Sequence, residues 1–323
     1  MSMMPPRVSC RVTVPATSAN LGPGFDCLGL ALELRNEIVA DRYDDILPFH
    51  GNETLYNVQV EGVDAGKVPS DRHNLVVTAI ETVFSKVGRR ASRVDVCIRN
   101  CIPVGSGLGS SSSAIVAGLI AGNALVDGRL SDRELLGMAV EIEGHPDNVA
   151  PAMLGGLVLG VLPNAEDGPD ELIVQRMEPP QLRAVVVLPD FHLPTTEARA
   201  VLSPTMTRRE AIFNTSRLGL LIYALTNNEY ALLRVAMDDR LHQPQRLRLI
   251  PGAPEAYRAA YDHGAIGVAL SGAGPSLLAF THAANEIGQA MSEAFAAAGL
   301  NSRMWVLEPA RQGVFVTTSS LPV

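Results

Sequence analysis

The chain has 323 residues, 47% of them apolar and 19% charged, enough apolar material for about two domains of ordinary size and too much for an intrinsically disordered chain. Its 26 basic and 34 acidic residues leave a formal charge of −8. That balance lacks the basic footprint of a nucleic-acid or anionic-membrane partner, so both are excluded as main functions.

In chain order, Val8–Val14 alternates like a half-buried strand and Gly29–Val39 reads as a second one. Between them, Pro15–Asp26 reads as a turn-rich loop too long for a plain hairpin. Asn74–Val87 has helical apolar spacing, and Val58–Val60 and Val94–Ile98 are further strands. Ser111–Val126 predicts a helix of small and apolar residues, and Ser131 opens another, with Glu134 completing a capping box. Pro163–Glu171 reads as an exposed loop, with a domain boundary near 155–165. Beyond it, Ala184–Leu188, Ile266–Leu270, Leu277–Thr281, Met304–Leu307 and Val314–Thr318 look like strands. Arg208–Thr226, Glu229–Leu241, Ala253–Asp262 and Asn285–Ala298 look like helices. Strands and helices without strict alternation favour an α+β fold.

Only Lys67 and Lys86 are lysines, and neither lies in a Gly-rich segment, which excludes a P-loop lysine. The cysteines show no CxxC spacing; Cys97 and Cys101, four apart on one strand face, read as buried thiols. No charged-then-apolar leader is visible, so a reducing cytoplasm is expected. The longest apolar stretches, Ala114–Val126 and Ala152–Leu162, fall short of the ~20 residues a membrane span needs.

The chemistry is written most densely in Pro103–Ser113, PVGSGLGSSSS, between a strand and a helix. Gly105, Gly107 and Gly109 let the backbone turn its N–H groups toward one point. Ser110 to Ser113 add hydroxyl donors, and the helix presents its positive end there. Small residues Ala114, Ala117, Gly118 and Ala121 let that helix pack closely. The result is an anion cradle built without a lysine.

Pro103-x-x-x-Gly107-Leu108-Gly109-Ser110-Ser111 resembles the second motif of the GHMP kinase superfamily. Val14–Leu32, VPATSANLGPGFDCLGLAL, resembles the first motif of its homoserine kinases in particular, and Leu270–Ser276, LSGAGPS, resembles the third. With Glu143–Pro151, EGHPDNVAP, the resemblance runs from about residue 8 to residue 308.

The resemblance implies a two-lobed α+β fold: a ribosomal protein S5 domain 2-like N-terminal lobe (1–160) and a ferredoxin-like C-terminal lobe (161–323). It implies ATP and Mg²⁺ as cofactors and L-homoserine as the substrate, giving O-phospho-L-homoserine for threonine biosynthesis. A homodimer is the expected assembly. ATP would lie against Pro103, Val104, Gly105, Ser106, Gly107, Leu108, Gly109 and Ser110–Ser113 (Ser111 and Ser112 included), with Asn74 near its base or sugar; Asn74 also reads as a helix N-cap. Asn20, Asp26, His145 and Asn148 match substrate-contacting positions.

An amino-acid carboxylate calls for arginine in a bidentate pose. Arg199 and Arg246 stand in segments resembling the family's two arginine-bearing ones. For the metal, Ser111 (or Ser110) and Glu143 are expected. Many homoserine kinases carry an insert between the Glu-Gly pair and the His, absent from Glu141-Ile142-Glu143-Gly144-His145, so Glu141 competes with Glu143.

Where several relatives place an aspartate base, this chain has Asn148, which accepts no proton at neutral pH. Asp147 is expected to point away and support the turn. His145 has a suitable unperturbed pKa. Phosphoryl transfer asks mainly for alignment and charge neutralisation, so the expectation is transfer without a dedicated base, Asn148 and Asp26 positioning the substrate. A mevalonate- or sugar-type kinase, or a non-catalytic ATP-binding protein on this fold, is the alternative.

Overall fold

The computed structural model describes residues 7–49, 53–163, 171–282 and 285–320. The expected Pro163–Glu171 loop lies almost wholly outside them. The first sheet runs in the order Phe315–Ser320, Val8–Asn20, Gly24–Arg42, Arg93–Asn100, Leu55–Gly62, with Leu157–Val161 and Ile173–Met177 branching from Gly24–Arg42. Two of these strands, Ile173–Met177 and Phe315–Ser320, come from beyond residue 160. The second sheet runs Gly267–Leu270, Leu277–Thr281, Arg183–Pro189, Ser302–Leu307, all antiparallel.

Pro15–Asp26 corrects the loop expectation. Strand continues to Asn20 and resumes at Gly24, the two legs paired antiparallel. Register shifts at Pro15/Ala16 and Ala19/Asn20 explain why the alternation breaks: a bulge accommodates the proline and re-aims the side chains after it. The cysteine expectation also fails, because Cys97 is exposed and Cys101 lies past the strand end, half-buried.

Helix Leu75–Val87 starts at its Asn74 cap and stops at Gly88, φ +65°. It packs against Ser110–Leu125, where Gly118 and Gly122 let the backbones approach: a Cβ at Gly118 would run into the Val76 carbonyl. Ser131 and Glu134 close the expected capping box. In the second half Arg208–Thr226 and Ala253–Asp262 form as expected. Glu229–Leu241 does not. It makes only the short turns Tyr230–Leu232 and Leu233–Ala236, after which the Asp239 carboxylate takes backbone N–H groups from Leu241, His242 and Gln243.

One apolar cluster fills the first lobe and another the second, around Ile250, Leu277 and Phe295. A third joins them, packing Leu21, Leu28, Leu30 and Leu108 against Leu182, Val186, Leu221 and Phe280. The lobes therefore share a core, which holds the cleft between them in a fixed frame.

Candidate active site

A cavity of ≈ 360 Å³ opens where the glycine loop, the first motif and the second lobe meet. Gly105, Gly107 and Gly109 all take positive φ (+66°, +77°, +70°), and Gly109 caps the Ser110–Leu125 helix without a side chain. The first-turn N–H groups of Ser110, Ser111 and Ser112 therefore lack intrahelical acceptors, and all three residues line the cavity. Ser271 Oγ donates to Gly107 O (2.7 Å), and Ser276 N donates to Ser106 O (3.3 Å). The third motif thus clamps the loop from the other lobe.

Val104, Ser106 and the loop residues from Gly105 to Ser112, Leu108 apart, line the cavity. Pro103, Leu108 and Ser113 do not. Leu108 belongs to the shared core, Pro103 is buried with its carbonyl holding Ser106 Oγ, and Ser113 Oγ accepts from the buried Asn36 amide. Asn74 lines the cavity but uses its amide as a cap, Oδ1 accepting from Val76 N and Nδ2 donating to Pro69 O.

Ser112 Oγ and Ser111 Oγ both donate to Glu143 Oε1, at 2.8 and 3.3 Å. Glu141 faces a separate groove with Thr78, Thr82 and Lys86. A hydroxyl and a carboxylate beside an anion cradle are a fitting donor set for Mg²⁺, which takes few protein ligands and leaves the rest to phosphate and water.

Asp26, at φ +56°, pairs with Arg199 in bidentate fashion. Asp26 holds Arg199 above its usual pKa, chiefly through those hydrogen bonds. Arg246 is buried; its Nε donates to Ala198 O (2.9 Å) and its Nη1 to Gly272 O (3.2 Å). Burial, with Arg199 nearby, pulls it down to about 10, still charged at neutral pH. Asn20 braces this corner: Oδ1 accepts from Asp26 N, Nδ2 donates to Gly272 O.

His145 begins the Pro146–Leu154 helix in extended conformation, and its Nδ1 meets Asp147 Oδ1. Asn148 Nδ2 donates to the same oxygen, and Thr17 Oγ1 donates to Asn148 Oδ1 (2.7 Å). Asp147 is therefore not turned away as expected: it lines the cavity and orients both neighbours. Burial would lower the His145 pKa, but the Asp147 hydrogen bond and charge, helped by Asp26 and Glu143, leave it raised. Asp26, His145 and Asp147 also place ligand atoms within 4.8 Å of one another, although Asp26 already serves Arg199. Sequence reasoning missed Thr17 and Asn36 and gave Asp147 only a turn-supporting role; Thr17 lay in the stretch taken for a loop.

Two family descriptions match the chain: GHMP kinases N terminal domain over residues 74–156, and GHMP kinases C terminal over 221–297. The chain is 41% identical to the homoserine kinase of Desulfitobacterium hafniense over 310 residues, 95% of this chain and 99% of that one. It is also 41% identical to the homoserine kinase of Moorella thermoacetica, covering 94% and 99%. The crystal structure of homoserine kinase from Cytophaga hutchinsonii superposes with a TM-score of 0.81 at 32% identity, covering 98% and 99%. A mevalonate kinase from L. major, TM-score 0.61 at 16% identity, shares the fold.

Proposed function

Because the chain belongs to the homoserine kinases of the GHMP kinase superfamily, we propose how its cleft moves the γ-phosphoryl group of ATP to the side-chain hydroxyl of L-homoserine, giving O-phospho-L-homoserine and ADP. The observation that carries the reading is one cavity lined both by an anion cradle and by the set Asp26, Arg199 and Arg246. The first suits nucleotide phosphates; the second suits the ammonium and carboxylate of an amino acid.

The loop N–H groups and serine hydroxyls hold the ATP phosphates. Ser111 and Glu143 would hold Mg²⁺, whose charge would offset that on the transferred group. Arg246 and Arg199 take the homoserine carboxylate and Asp26 its ammonium, while Asn148, fixed by Thr17 and Asp147, faces the hydroxyl end. His145 gives its Nδ1 to Asp147, which raises its pKa above that of a free imidazole and fixes the ring in place as a substrate contact. The hydroxyl proton leaves late, to solvent or to the transferred phosphoryl group. The family likeness supports a cytoplasmic homodimer.

Coupled ADP release tests the substrate assignment, with L-homoserine, L-threonine, L-serine and mevalonate in parallel. Homoserine should dominate the panel by kcat/KM. Preferential turnover of mevalonate, or no ADP release with any of them, would overturn the reading.

A further inference from the structure

Arg246 reaches the cavity from a short helix, Gln243–Leu247, whose start is unusually well tied. The Asp239 carboxylate, itself buried, accepts from the N–H groups of Leu241 (2.8 Å), His242 (2.9 Å) and Gln243 (2.6 Å), and from Asn214 Nδ2 (2.6 Å). His242 follows, with no exposed surface. Its ring touches three things: the Gly22 carbonyl at 2.8 Å from Nε2, Arg246 Nη1 at 3.4 Å from Nδ1, and the Phe25 ring at 5.1 Å between centroids.

The tautomer follows from the partners. Arginine only donates, so Nδ1 facing Arg246 must be the lone-pair nitrogen. The ring proton is then on Nε2, where the Gly22 carbonyl accepts it; Asp239 Oδ2 is farther, at 3.6 Å. Burial favours the same neutral ring, lowering its pKa, with Arg246 adding to the effect and Asp239 opposing it. Phe25 also lies under the guanidinium, 5.1 Å from Arg246 Cζ. Arg246 therefore has Nε on Ala198 O and Nη1 on Gly272 O and His242, and Nη2 has no protein partner among the described residues.

We infer that His242 is a positioning residue: a neutral acceptor, anchored on the first motif through Gly22, that fixes the rotation of the Arg246 guanidinium and so directs its Nη2 at the substrate carboxylate. The inference rests on the reading of Arg246 as a carboxylate ligand. It also explains how the first motif, which contributes Asp26 for the ammonium, is geometrically coupled to the arginine for the carboxylate.

Two substitutions separate the ring nitrogens. His242→Asn places an oxygen near Nδ1 and keeps the acceptor for Arg246. His242→Gln places its amide near Nε2, keeping the Gly22 contact and losing that acceptor. The readouts are KM for L-homoserine and for ATP, kcat, and the inhibition constant of the three-carbon amino alcohol that remains when homoserine loses its carboxylate. A hydrogen bond to a charged group predicts a homoserine KM raised about 10-fold or more in His242→Gln. ATP KM, kcat and amino-alcohol inhibition should stay within about 2-fold, and His242→Asn should recover most of the homoserine KM.

Equal weakening of homoserine and the amino alcohol, or equal losses in both variants, would reduce His242 to a packing residue and overturn the inference. Arg246→Leu serves as the reference. If it too fails to discriminate homoserine from the amino alcohol, the carboxylate assignment itself is wrong; if it discriminates and His242→Gln does not, only the positioning role falls. Melting temperatures of all three variants identify any that is not folded. Should His242→Gln prove unfolded while His242→Asn is folded with an unchanged homoserine KM, the acceptor is still tested by His242→Leu, which must raise that KM.

Discussion

Arg199 and Asp26 close on each other across the cleft, Nη1 to Oδ2 at 2.9 Å and Nη2 to Oδ1 at 2.8 Å, one group from each lobe. The pair carries the same two charges that a zwitterionic amino acid brings, so the substrate's carboxylate and ammonium can exchange with it. The two side chains are 39% and 33% exposed, so the pair adds little to stability and is cheap to open. Asp26→Asn suits the left-handed backbone at this position and removes only the charge. Steady-state kinetics should show a homoserine KM raised about 10-fold or more, with ATP KM within about 2-fold and the melting temperature nearly unchanged.

The glycine loop predicts two different losses from two similar substitutions. A Cβ at Gly105 meets nothing closer than His192 Nδ1, at 3.7 Å, so Gly105→Ala costs mainly the left-handed φ, about 1–2 kcal/mol. A Cβ at Gly109 runs into Thr17 Oγ1, the group that holds Asn148. Gly105→Ala should raise ATP KM several-fold and spare homoserine, whereas Gly109→Ala should raise both. Identical profiles for the two variants would contradict this division of the loop.

Glu143 and Glu141 are two residues apart and face different surroundings, the first the loop serines and the second a groove beside Thr78 and Lys86. Glu143→Gln should raise the Mg²⁺ concentration for half-maximal rate about 10-fold and lower turnover. Glu141→Gln should leave both unchanged; the reverse pattern would move the metal to Glu141.

His145 gives a pH signature. Its folded-state pKa is raised despite burial because Asp147 favours the imidazolium. The pair's stabilisation is therefore complete below the unfolded-state value, near 6.5, and is lost as pH rises through the folded-state value. Asp147→Asn should lower the imidazole titration seen by NMR, and its stability deficit against wild type should shrink as pH rises. His145→Gln should keep kcat within about 30-fold. A loss of about 10³-fold with KM unchanged, together with disappearance of the acidic limb, would make His145 the base.

Much of this was legible locally. A glycine run between strand and helix announces an anion cradle, and Ser131 with Glu134 announces a helix start. What local pattern does not carry is long-range: the bulges that keep Pro15–Asn20 in strand, and the core that pulls Leu108 inward from a loop of otherwise exposed function. Asp147 was misread because adjacent residues were assumed to diverge. The extended His145 backbone entering a helix brings His145 and Asn148 onto the Asp147 carboxylate. Glu229–Leu241 looked helical, yet Asp239 offers its N–H neighbours a better acceptor than the next helical turn.

The most direct test of the grip on an amino-acid substrate is the pair of Michaelis constants of Arg199→Leu. Arg199 is tied chiefly to Asp26 and is partly exposed, so the variant should fold. Losing a hydrogen-bonded charge partner for the carboxylate predicts a homoserine KM raised about 10-fold or more with ATP KM within about 3-fold. Equal rises in both constants would contradict the account and assign Arg199 to the nucleotide or to the fold.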